Sequence, residues 1–268
     1  MTQPLNIDVV VQGASGKMGI EVIDALCHAP DMEPTGVVSR SATEEFFSLP
    51  DGSGLIPLSS DLGNILSRTK PKVVVDFTDS NGALEAARFC ANQGVHLVTG
   101  STGLDQQALT EIENLANKNH IGVLIASNFA LGAVLLTHLT RIASQHFEYV
   151  EISEAHHEGK LDAPSGTALS LAKASTEARK TQIKRPMPSL ETLRGTRGGD
   201  YAGVSIHSSR MPGRMAYHEV TLGSPGQILS LRHDTINRSC YMPGVLLGVR
   251  YVTEHLGLTI GLEQVLNL

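Results

Sequence analysis

The residues best suited to carry chemistry lie together near the middle of the chain, in the segment EAHHEGKLDAPSGTA at positions 154–168. Its histidines and its lysine are candidate proton donors and acceptors. Pro164 disfavours helix before it, and either Ser165 or Thr167 can cap a helix that begins there. Gly166 leaves the backbone N–H groups of such a helix start open to an anion, for example a carboxylate. The segment therefore predicts a place where a small acidic molecule is bound and protonated.

The sequence on either side indicates how this segment is positioned. An alternating run at positions 149–155 predicts a strand before it, and positions 168–178 predict a helix after it. Catalytic groups are commonly carried on such a loop between two rigid elements. Three further alternating runs, at 204–210, 217–222 and 228–234, predict antiparallel strands. We therefore expect a smaller α+β domain over residues 130–239, with a mostly antiparallel or mixed sheet.

Metal binding is one alternative for the adjacent histidines His156 and His157, and a place in the core is another. Neighbouring residues of a strand point to opposite faces, so the two side chains are poor partners for one ion. No cysteine or third histidine stands near them in the sequence to complete a zinc site. We therefore predict no metal.

A second group of candidate site residues follows the first predicted strand, at positions 5–12. There the residues Gly13, Ala14, Ser15, Gly16, Lys17 and Met18 lead into a helical pattern. The spacing is G-x-x-G-x-x-G rather than the usual G-x-G-x-x-G of dinucleotide-binding proteins. It still provides a tight turn, a bare backbone and N–H groups directed at a pyrophosphate. A plain tight turn between strand and helix would also explain these glycines.

The residue that distinguishes NADPH from NADH is expected about 20 positions after the glycine turn. The second predicted strand, at 35–38, ends there in Ser39 and Arg40, so the acidic residue that binds a ribose 2′-hydroxyl is missing. An arginine at this place accommodates a 2′-phosphate. The sequence favours NADPH as the preferred cofactor, with NADH as a second one. A solvated surface arginine is the alternative.

Strand and helix patterns continue to alternate as far as position 126, which predicts a doubly wound parallel sheet, while positions 43–60 read as a loop. Predicted strands cover 72–77, 96–99 and 121–126, and Asp105 is the expected N-cap of a helix to Asn119. Ligands bind at the carboxyl ends of such strands. Residues Gly100, Ser101 and Thr102, and then Ala126, Ser127, Asn128 and Phe129, stand at these ends, where the nicotinamide half is expected. Asn128 could bind the carboxamide and Phe129 could cover the ring, although loop packing would also explain them.

The last part of the chain predicts a return to the first domain. Positions 240–255 are helical after Pro243 and apolar on one side, and positions 262–268 continue this packing surface. The dinucleotide-binding domain is therefore predicted to be discontinuous, comprising residues 1–129 and 240–268.

Composition narrows the classes of function. The net charge is −6 with no basic run, which argues against nucleic acid as a partner. No apolar stretch approaches the roughly 20 residues of a membrane span, and residues 1–4 lack the pattern of a signal peptide. The three cysteines are widely scattered, which is typical of reduced thiols in a cytoplasm. We expect a cytoplasmic protein that binds small molecules.

With the glycine turn, the S-N-F segment at 127–129 and the segment at 154–168 in hand, the chain resembles the dihydrodipicolinate reductases of bacterial and plant lysine biosynthesis. The resemblance extends to R-H-D-T at 232–235 and Y-M-P-G-V at 241–245. It implies an NAD(P)H-dependent 4-hydroxy-tetrahydrodipicolinate reductase of the diaminopimelate route, acting on a small dicarboxylate. It also implies a homotetramer assembled through the sheets of the second domain.

The resemblance also implies roles for individual residues. His156 would be the catalytic acid or base and Lys160 the proton donor, while substrate carboxylate would be bound by His157, Gly166 and Thr167. The pyrophosphate would be bound by residues 13–18 and the 2′-phosphate by Arg40. Residues 100–102 would line the nicotinamide ribose region, and residues 126–129 would hold the nicotinamide end. Ser39 departs from the family, in which an acidic residue supports NADH use, and Ser101 replaces a threonine.

Two other functions fit parts of the pattern. A semialdehyde dehydrogenase also pairs a nucleotide domain with an α/β domain, but it needs a thiolate beside a histidine. The cysteines Cys27, Cys90 and Cys240 fall in helical patterns away from the strand ends. A redox sensor that binds NADPH without turnover would have no need of His156 and Lys160 beside an anion site.

Overall fold

The computed structural model describes residues 6–268, so the predicted start of the first strand and the assignment of no signal peptide lie outside the described residues. Two compact units are present, one comprising the chain up to Ala130 together with Tyr241–Leu268, and the other Leu131–Cys240. Within residues 6–268 no helix combines the length and hydropathy needed to cross a membrane.

The secondary structure alternates along most of the chain. The strands are β1 (Ile7–Gln12), β2 (Met32–Val38), β3 (Phe46–Ser48), β4 (Leu55–Ser59), β5 (Val73–Asp76), β6 (His96–Thr99), β7 (Gly122–Ile125), β8 (Tyr149–His156), β9 (Gly199–Tyr201), β10 (Val204–Arg210), β11 (Ala216–Ser224), β12 (Gln227–Thr235) and β13 (Gly257–Ile260). The helices are α1 (Lys17–His28), α2 (Leu62–Thr69), α3 (Ser80–Gln93), α4 (Gln106–Asn119), α5 (Leu131–Ser144), α6 (Gly166–Glu177), α7 (Met242–Glu254) and α8 (Leu262–Val265), with a 3₁₀ turn at Arg238–Tyr241.

The first unit is built on an eight-stranded sheet in the order β13-β7-β6-β5-β1-β2-β4-β3. All neighbouring strands are parallel except β3 and β4, which confirms the predicted doubly wound parallel sheet. The central strands are apolar on both faces because helices cover both sides, and residues 9–11 of β1 are fully buried. Aspartates cap the starts of α2, α3 and α4, and Asp105 is the N-cap of α4 as predicted.

Three strands of this sheet were not predicted from the sequence. The predicted loop at 43–60 contains β3 and β4, because a short antiparallel pair forms at the edge of the sheet. Pro57 and the flanking glycines obscure this pattern, although an edge strand tolerates proline. Strand β13 pairs with β7 and was not predicted, since a four-residue strand carries little periodicity.

The second unit has a five-stranded mixed sheet in the order β12-β11-β8-β10-β9. Helices α5 and α6 supply Leu136 and Leu171 to a core that covers one face of this sheet. The prediction of a mixed sheet is confirmed: β10, at residues 204–210, pairs antiparallel with β9 as expected, but it pairs parallel with β8. After β8 the chain passes through α6 to β9 and then reverses direction into the adjacent β10, so β10 runs in the same direction as β8.

Candidate active site

The second unit assembles a cluster of charged and titratable side chains at the carboxyl end of β8. Glu154 and His156 are two residues apart, so both point to the face covered by α5 and α6. The parallel register places Arg210 of β10 opposite His156, and the antiparallel register places His218 of β11 opposite Glu154. Strand pairing therefore brings Arg210 and His218, which are distant in sequence, next to Glu154 and His156.

Glu154 lies at the centre of this cluster and its side chain is completely buried. One carboxylate oxygen is 2.6 Å from Nδ1 of His156, and the guanidinium of Arg210 donates to both oxygens, at 3.0 and 2.9 Å. Burial opposes ionisation, but the hydrogen bonds from Arg210 and its neighbours hold the pKa of Glu154 below its usual range. Glu154 is thus a buried carboxylate with its charge compensated.

The two histidines of the cluster are held in a dry environment. Their rings lie edge to face with centroids 5.3 Å apart, and Nε2 of His218 is 3.0 Å from the hydroxyl of Ser165. Burial lowers the pKa of His218 to about 4, so this ring is neutral near neutral pH. Burial also lowers the pKa of His156, and the hydrogen bond that His156 donates to Glu154 opposes this shift.

The loop after β8 carries the second candidate proton donor. Lys160 is 23% exposed and its ammonium is 2.8 Å from the carboxylate of Asp162. His157 is exposed at the start of this loop. His156, His157 and Lys160 therefore occupy one strand end and the loop that follows it, as the sequence predicted.

The loop ends in a helix start that is suited to an anion. Ser165 is the N-cap of α6, since its hydroxyl accepts from the N–H of Ala168 at 3.2 Å. The helix begins at Gly166, two residues earlier than predicted, and a side chain added at Gly166 would meet open space. The N–H groups of Gly166 and Thr167 belong to the first turn, which has no intrahelical acceptors for them. A carboxylate can bind there.

One premise of the sequence argument against a metal is wrong. Another histidine does approach in space, because His218 reaches the site from β11. The candidate ligand atoms of Glu154, His156 and His218 lie within 4.8 Å of one another. However, Arg210 donates to both oxygens of Glu154, so its guanidinium already provides the compensating positive charge. We interpret the cluster as a hydrogen-bonded network.

The first unit carries the glycine turn in the expected geometry. Gly13 has a φ of +85°, and a Cβ there would lie 2.7 Å from the carbonyl oxygen of Phe77. Gly16 is the N-cap of α1 and has no side chain that could cover the free N–H groups. A Cβ on Gly19 would lie 2.2 Å from the carbonyl oxygen of Gly13, so the helix packs directly on the turn. The spacing G-x-x-G-x-x-G thus meets the demands of a phosphate-binding turn.

A cavity of about 600 Å³ adjoins this turn and is lined in part by Arg40. Arg40 forms an ion pair with Asp79 at 2.9 Å, and both side chains are mostly exposed. The hydroxyl of Ser39 lies 2.9 Å from that of Ser15 and 3.1 Å from that of Ser41. The end of β2 thus presents hydroxyl groups and one guanidinium beside the glycine turn. This arrangement fits the adenosine part of a nucleotide.

The predicted nicotinamide residues stand at the ends of β6 and β7, but they differ in accessibility. Ser127 and Thr102 are exposed, whereas Ser101 is buried and its hydroxyl donates to Asp76 at 2.7 Å. The ring of Phe129 is 2% exposed. The side chain of Phe129 therefore packs in the core of the first unit. Any cofactor contact at this residue would use the backbone.

Other predicted residues at these strand ends pack into the first unit or form hydrogen bonds with its backbone. Ala126 is buried, Asn128 is half-buried, and the amide oxygen of Asn128 accepts from the N–H of Ala130 at 2.9 Å. A Cβ on Gly100 would lie 2.1 Å from the ring of Phe77, so only glycine fits under that ring. The residues at these positions thus combine packing with access to the sheet edge.

Sequence reasoning missed Arg210, His218 and Asp79. Each is adjacent to a predicted site residue only through strand pairing or across the sheet edge. Alternation within residues 204–210 and 217–222 was the available signal, but it does not give the register.

Comparison with known proteins agrees with this geometry. The family model "Dihydrodipicolinate reductase, N-terminus" matches residues 7–129, and "Dihydrodipicolinate reductase, C-terminus" matches residues 132–266. The 4-hydroxy-tetrahydrodipicolinate reductase of Dehalococcoides mccartyi is 46% identical over 98% of this chain and 99% of its own length. The Synechocystis sp. enzyme of the same name is 44% identical over 97% of this chain and 98% of its own.

Solved structures give the same result. The dihydrodipicolinate reductase from Paenisporosarcina sp. TG-14, solved with dipicolinate bound, has a TM-score of 0.87 and 36% identity, and the match covers 97% of this chain and 99% of that one. An amine dehydrogenase from Mycobacterium smegmatis, with a TM-score of 0.66 and 18% identity, shares the fold; the match covers 97% of this chain and 96% of that one. Since both family models match in order and the relatives align along nearly the full length, the chain belongs to the dihydrodipicolinate reductase family.

Proposed function

We propose that this protein is a 4-hydroxy-tetrahydrodipicolinate reductase that forms tetrahydrodipicolinate in the diaminopimelate route of lysine biosynthesis. The observation that carries the proposal is one strand-to-helix loop holding His156 and Lys160 beside the open first turn of α6. A sensor that binds NADPH without turnover is not favoured, because relatives along the full chain are named as reductases.

The substrate class follows from the anion site. We assign the binding of substrate carboxylate to His157 and to the backbone N–H groups of Gly166 and Thr167, where the helix start favours negative charge. The related structure from Paenisporosarcina contains dipicolinate, a small diacid, which supports a dicarboxylate for this chain too. Fixing a carboxylate at one end of a planar ring also orients the ring, which lowers the entropic part of the barrier.

Proton delivery is assigned to the remaining side chains of the loop. After the hydroxy substrate loses water, the cyclic imine dicarboxylate accepts a hydride at C4, and a proton must reach the neighbouring carbon. The bound nicotinamide cofactor supplies the hydride. His156 acts as acid or base and Lys160 as proton donor, and such positioned acid catalysis contributes roughly 10²–10⁴-fold.

We assign cofactor binding to the first unit, with NADPH preferred and NADH as a second cofactor. Residues 13–18 would bind the pyrophosphate through backbone N–H groups, and Arg40 would bind the 2′-phosphate. Residues 100–102 and 126–129 would border the nicotinamide half, with Ser127 and Thr102 as its exposed polar groups. The hydroxyl groups at Ser39 and Ser41, in place of an acidic side chain, support the preference for NADPH.

The roles of the two units and the oligomeric state of the protein are also proposals. Residues 1–129 and 240–268 form the nucleotide-binding part, and residues 130–239 bind substrate and mediate assembly. We propose a cytoplasmic homotetramer formed through the sheet face opposite α5 and α6, where Ile228 is 74% exposed. Light scattering after gel filtration gives the mass of the assembly directly.

The function is tested by following NADPH oxidation while dihydrodipicolinate synthase supplies the substrate. We expect turnover by the wild-type protein and a large loss of kcat in His156→Gln and Lys160→Ala, with NADPH binding retained. Turnover that survives both substitutions would remove their assigned roles. NADPH binding without any turnover by the wild-type protein would refute the reductase assignment.

A further inference from the structure

Glu154 is a buried carboxylate to which the proposed reaction assigns no role. Its side chain has no exposed surface, yet it contacts His156, Arg210 and the backbone of Ser165. A buried ion pair that served packing alone would be replaceable as a pair by apolar residues at little cost in stability. The three contacts instead all lead to groups of the candidate active site.

We propose that Glu154 is a positioning residue of the reductase: it fixes the tautomer of His156 and fastens the loop that carries Lys160. The inference deepens the proposed function and rests on it, because His156 and Lys160 transfer protons only if the protein is a reductase. The contacts themselves belong to the folded protein and can be examined without substrate.

The tautomer follows from the chemistry of the carboxylate. An ionised carboxylate accepts hydrogen bonds and donates none, so Nδ1 of His156, 2.6 Å away, must carry the hydrogen. In the neutral ring, Nε2 is then bare and can accept a proton. In the imidazolium form, Nε2–H is the donor that remains for another partner. All proton exchange by His156 is thereby directed to Nε2.

Glu154 supplies the negative charge that contacts His156, and positively charged or titratable groups approach His156 from other elements. Arg210 faces it from β10, Lys160 from the loop and His218 from β11, with His233 of β12 beyond His218. His218 is neutral near neutral pH, so the nearby charged cations are Arg210 and Lys160. Without the charge of Glu154, protonated His156 would lie near the positive charges of Arg210 and Lys160, of which Lys160 is paired with Asp162.

The two carboxylate oxygens of Glu154 also hold the loop between β8 and α6 in place. One oxygen accepts from the N–H of Ser165, at 3.3 Å, and so holds the start of α6. Arg210, bound to both oxygens, also donates to the carbonyl oxygen of Asp162 at 2.6 Å. Asp162 in turn pairs with Lys160. Glu154 therefore connects His156, the lysine loop and the anion-binding helix start.

Nitrogen-15 NMR of the histidine rings in the intact protein tests the tautomer, with the signals of His156 identified by their loss in His156→Gln. In the wild-type protein we expect a neutral His156 protonated at Nδ1. In Glu154→Gln, which offers one accepting oxygen instead of two, we expect this preference to be lost. The pH at which His156 titrates should fall by roughly one unit or more, as expected for removal of an adjacent opposite charge.

Kinetics provide the second readout. Glu154→Gln should lower kcat by about 100-fold, within the range of acid–base catalysis, while the affinity for NADPH is unchanged. Glu154→Asp retains an ionised acceptor and should keep the Nδ1–H tautomer. Glu148→Gln is the matched control, because it removes one carboxylate that pairs with Lys184 just before β8, and it should change neither readout.

A wild-type His156 protonated at Nε2 would overturn the proposal, and that measurement does not depend on whether a Glu154 variant folds. The proposal would also fail if Glu154→Gln lowered kcat and thermal stability but left the tautomer and the titration of His156 unchanged. If the wild-type protein proved inactive as a reductase while the tautomer was as expected, the proposed function would fail and the Glu154–His156 contact would stand.

Discussion

The preference for NADPH can be tested at the ion pair between Arg40 and Asp79. The two side chains are 2.9 Å apart, and their exposed fractions are 73% and 52%. Asp79 also caps α3, since its other oxygen accepts from the N–H of Gly82 at 2.9 Å. If Arg40 binds the 2′-phosphate of NADPH, the phosphate must compete with this carboxylate. The perturbations are therefore Arg40→Ala and Asp79→Asn.

The competing interactions differ in strength. An exposed ion pair contributes about 0–1 kcal/mol, because water and salt screen it. Hydrogen bonds between a charged donor and a charged acceptor such as phosphate contribute about 1.5–3 kcal/mol. The phosphate should therefore prevail, and Arg40→Ala should reduce kcat/KM for NADPH by roughly 10- to 150-fold. NADH has no 2′-phosphate, so its kcat/KM should change little.

Asp79→Asn should act in the opposite direction. Asparagine is as good an N-cap as aspartate, so α3 should keep its cap while Arg40 loses its competing charge. We expect kcat/KM for NADPH to rise by up to about fivefold, the upper limit of an exposed ion pair. NADH should again be nearly unaffected.

The assay is a side-by-side measurement of kcat/KM with NADPH and NADH for the wild type, the two variants and Arg68→Ala. Arg68 is an exposed arginine of α2, so its variant controls for a general loss of positive charge. Equal kcat/KM for the two cofactors in the wild type, or an equal loss with both in Arg40→Ala, would refute the role of Arg40. Loss of NADPH activity in Asp79→Asn would refute the competition.

Three further predictions concern stability and reactivity. The pKa of His218 is 6.5 in the unfolded chain and about 4 in the folded protein, so stability falls as the pH drops through this window. His218→Gln should remove about 2 kcal/mol of the stability that is lost between pH 7 and 4.5, as measured by urea unfolding. An identical pH dependence of stability in the variant and the wild type would contradict this. Gly100→Ala should destabilise the protein by about 1–3 kcal/mol, because the added Cβ would meet the ring of Phe77. Combining it with Phe77→Leu should relieve part of this destabilisation, and additive effects of the two substitutions on stability would contradict a contact between the two residues. Burial raises the pKa of the thiols of Cys27, Cys90 and Cys240, so treatment with iodoacetamide should leave turnover intact. If iodoacetamide inactivated the protein and bound cofactor protected it, a thiolate mechanism at one of these cysteines would be supported instead.

The parallel sheet was predictable because each of its central strands is buried on both faces. Strand β6 and helix α4 match their predicted bounds, since a β-branched run and an Asp N-cap are local signals. The antiparallel pair of β3 and β4 was missed because Pro57 interrupts a short edge pattern. The parallel pairing of β10 with β8 was not predicted, because alternation gives the faces of a strand and carries no information on which strand it pairs with.

The candidate site was predictable to the extent that its residues are contiguous. Segment 154–168 contains the proton donors and the anion site because one strand end, one loop and one helix start follow each other in the chain. The burial of Phe129 could not be predicted, since its ring packs against residues of the returning α7. Ser101 likewise has a hydroxyl that is used inside the unit, by Asp76.

The register of the second sheet decides which residues complete the site. A shift of one residue in the pairing of β8 with β10 would turn Arg210 to the opposite face and leave the charge of Glu154 buried without its guanidinium. An unpaired buried carboxylate would take up a proton, and a neutral Glu154 could no longer compel Nδ1 of His156 to carry the hydrogen. The contiguous motif therefore supplies the reacting groups, whereas strand pairing sets their protonation. Residues such as Arg210 are constrained as strictly as those of the motif, although nothing in their local sequence marks them.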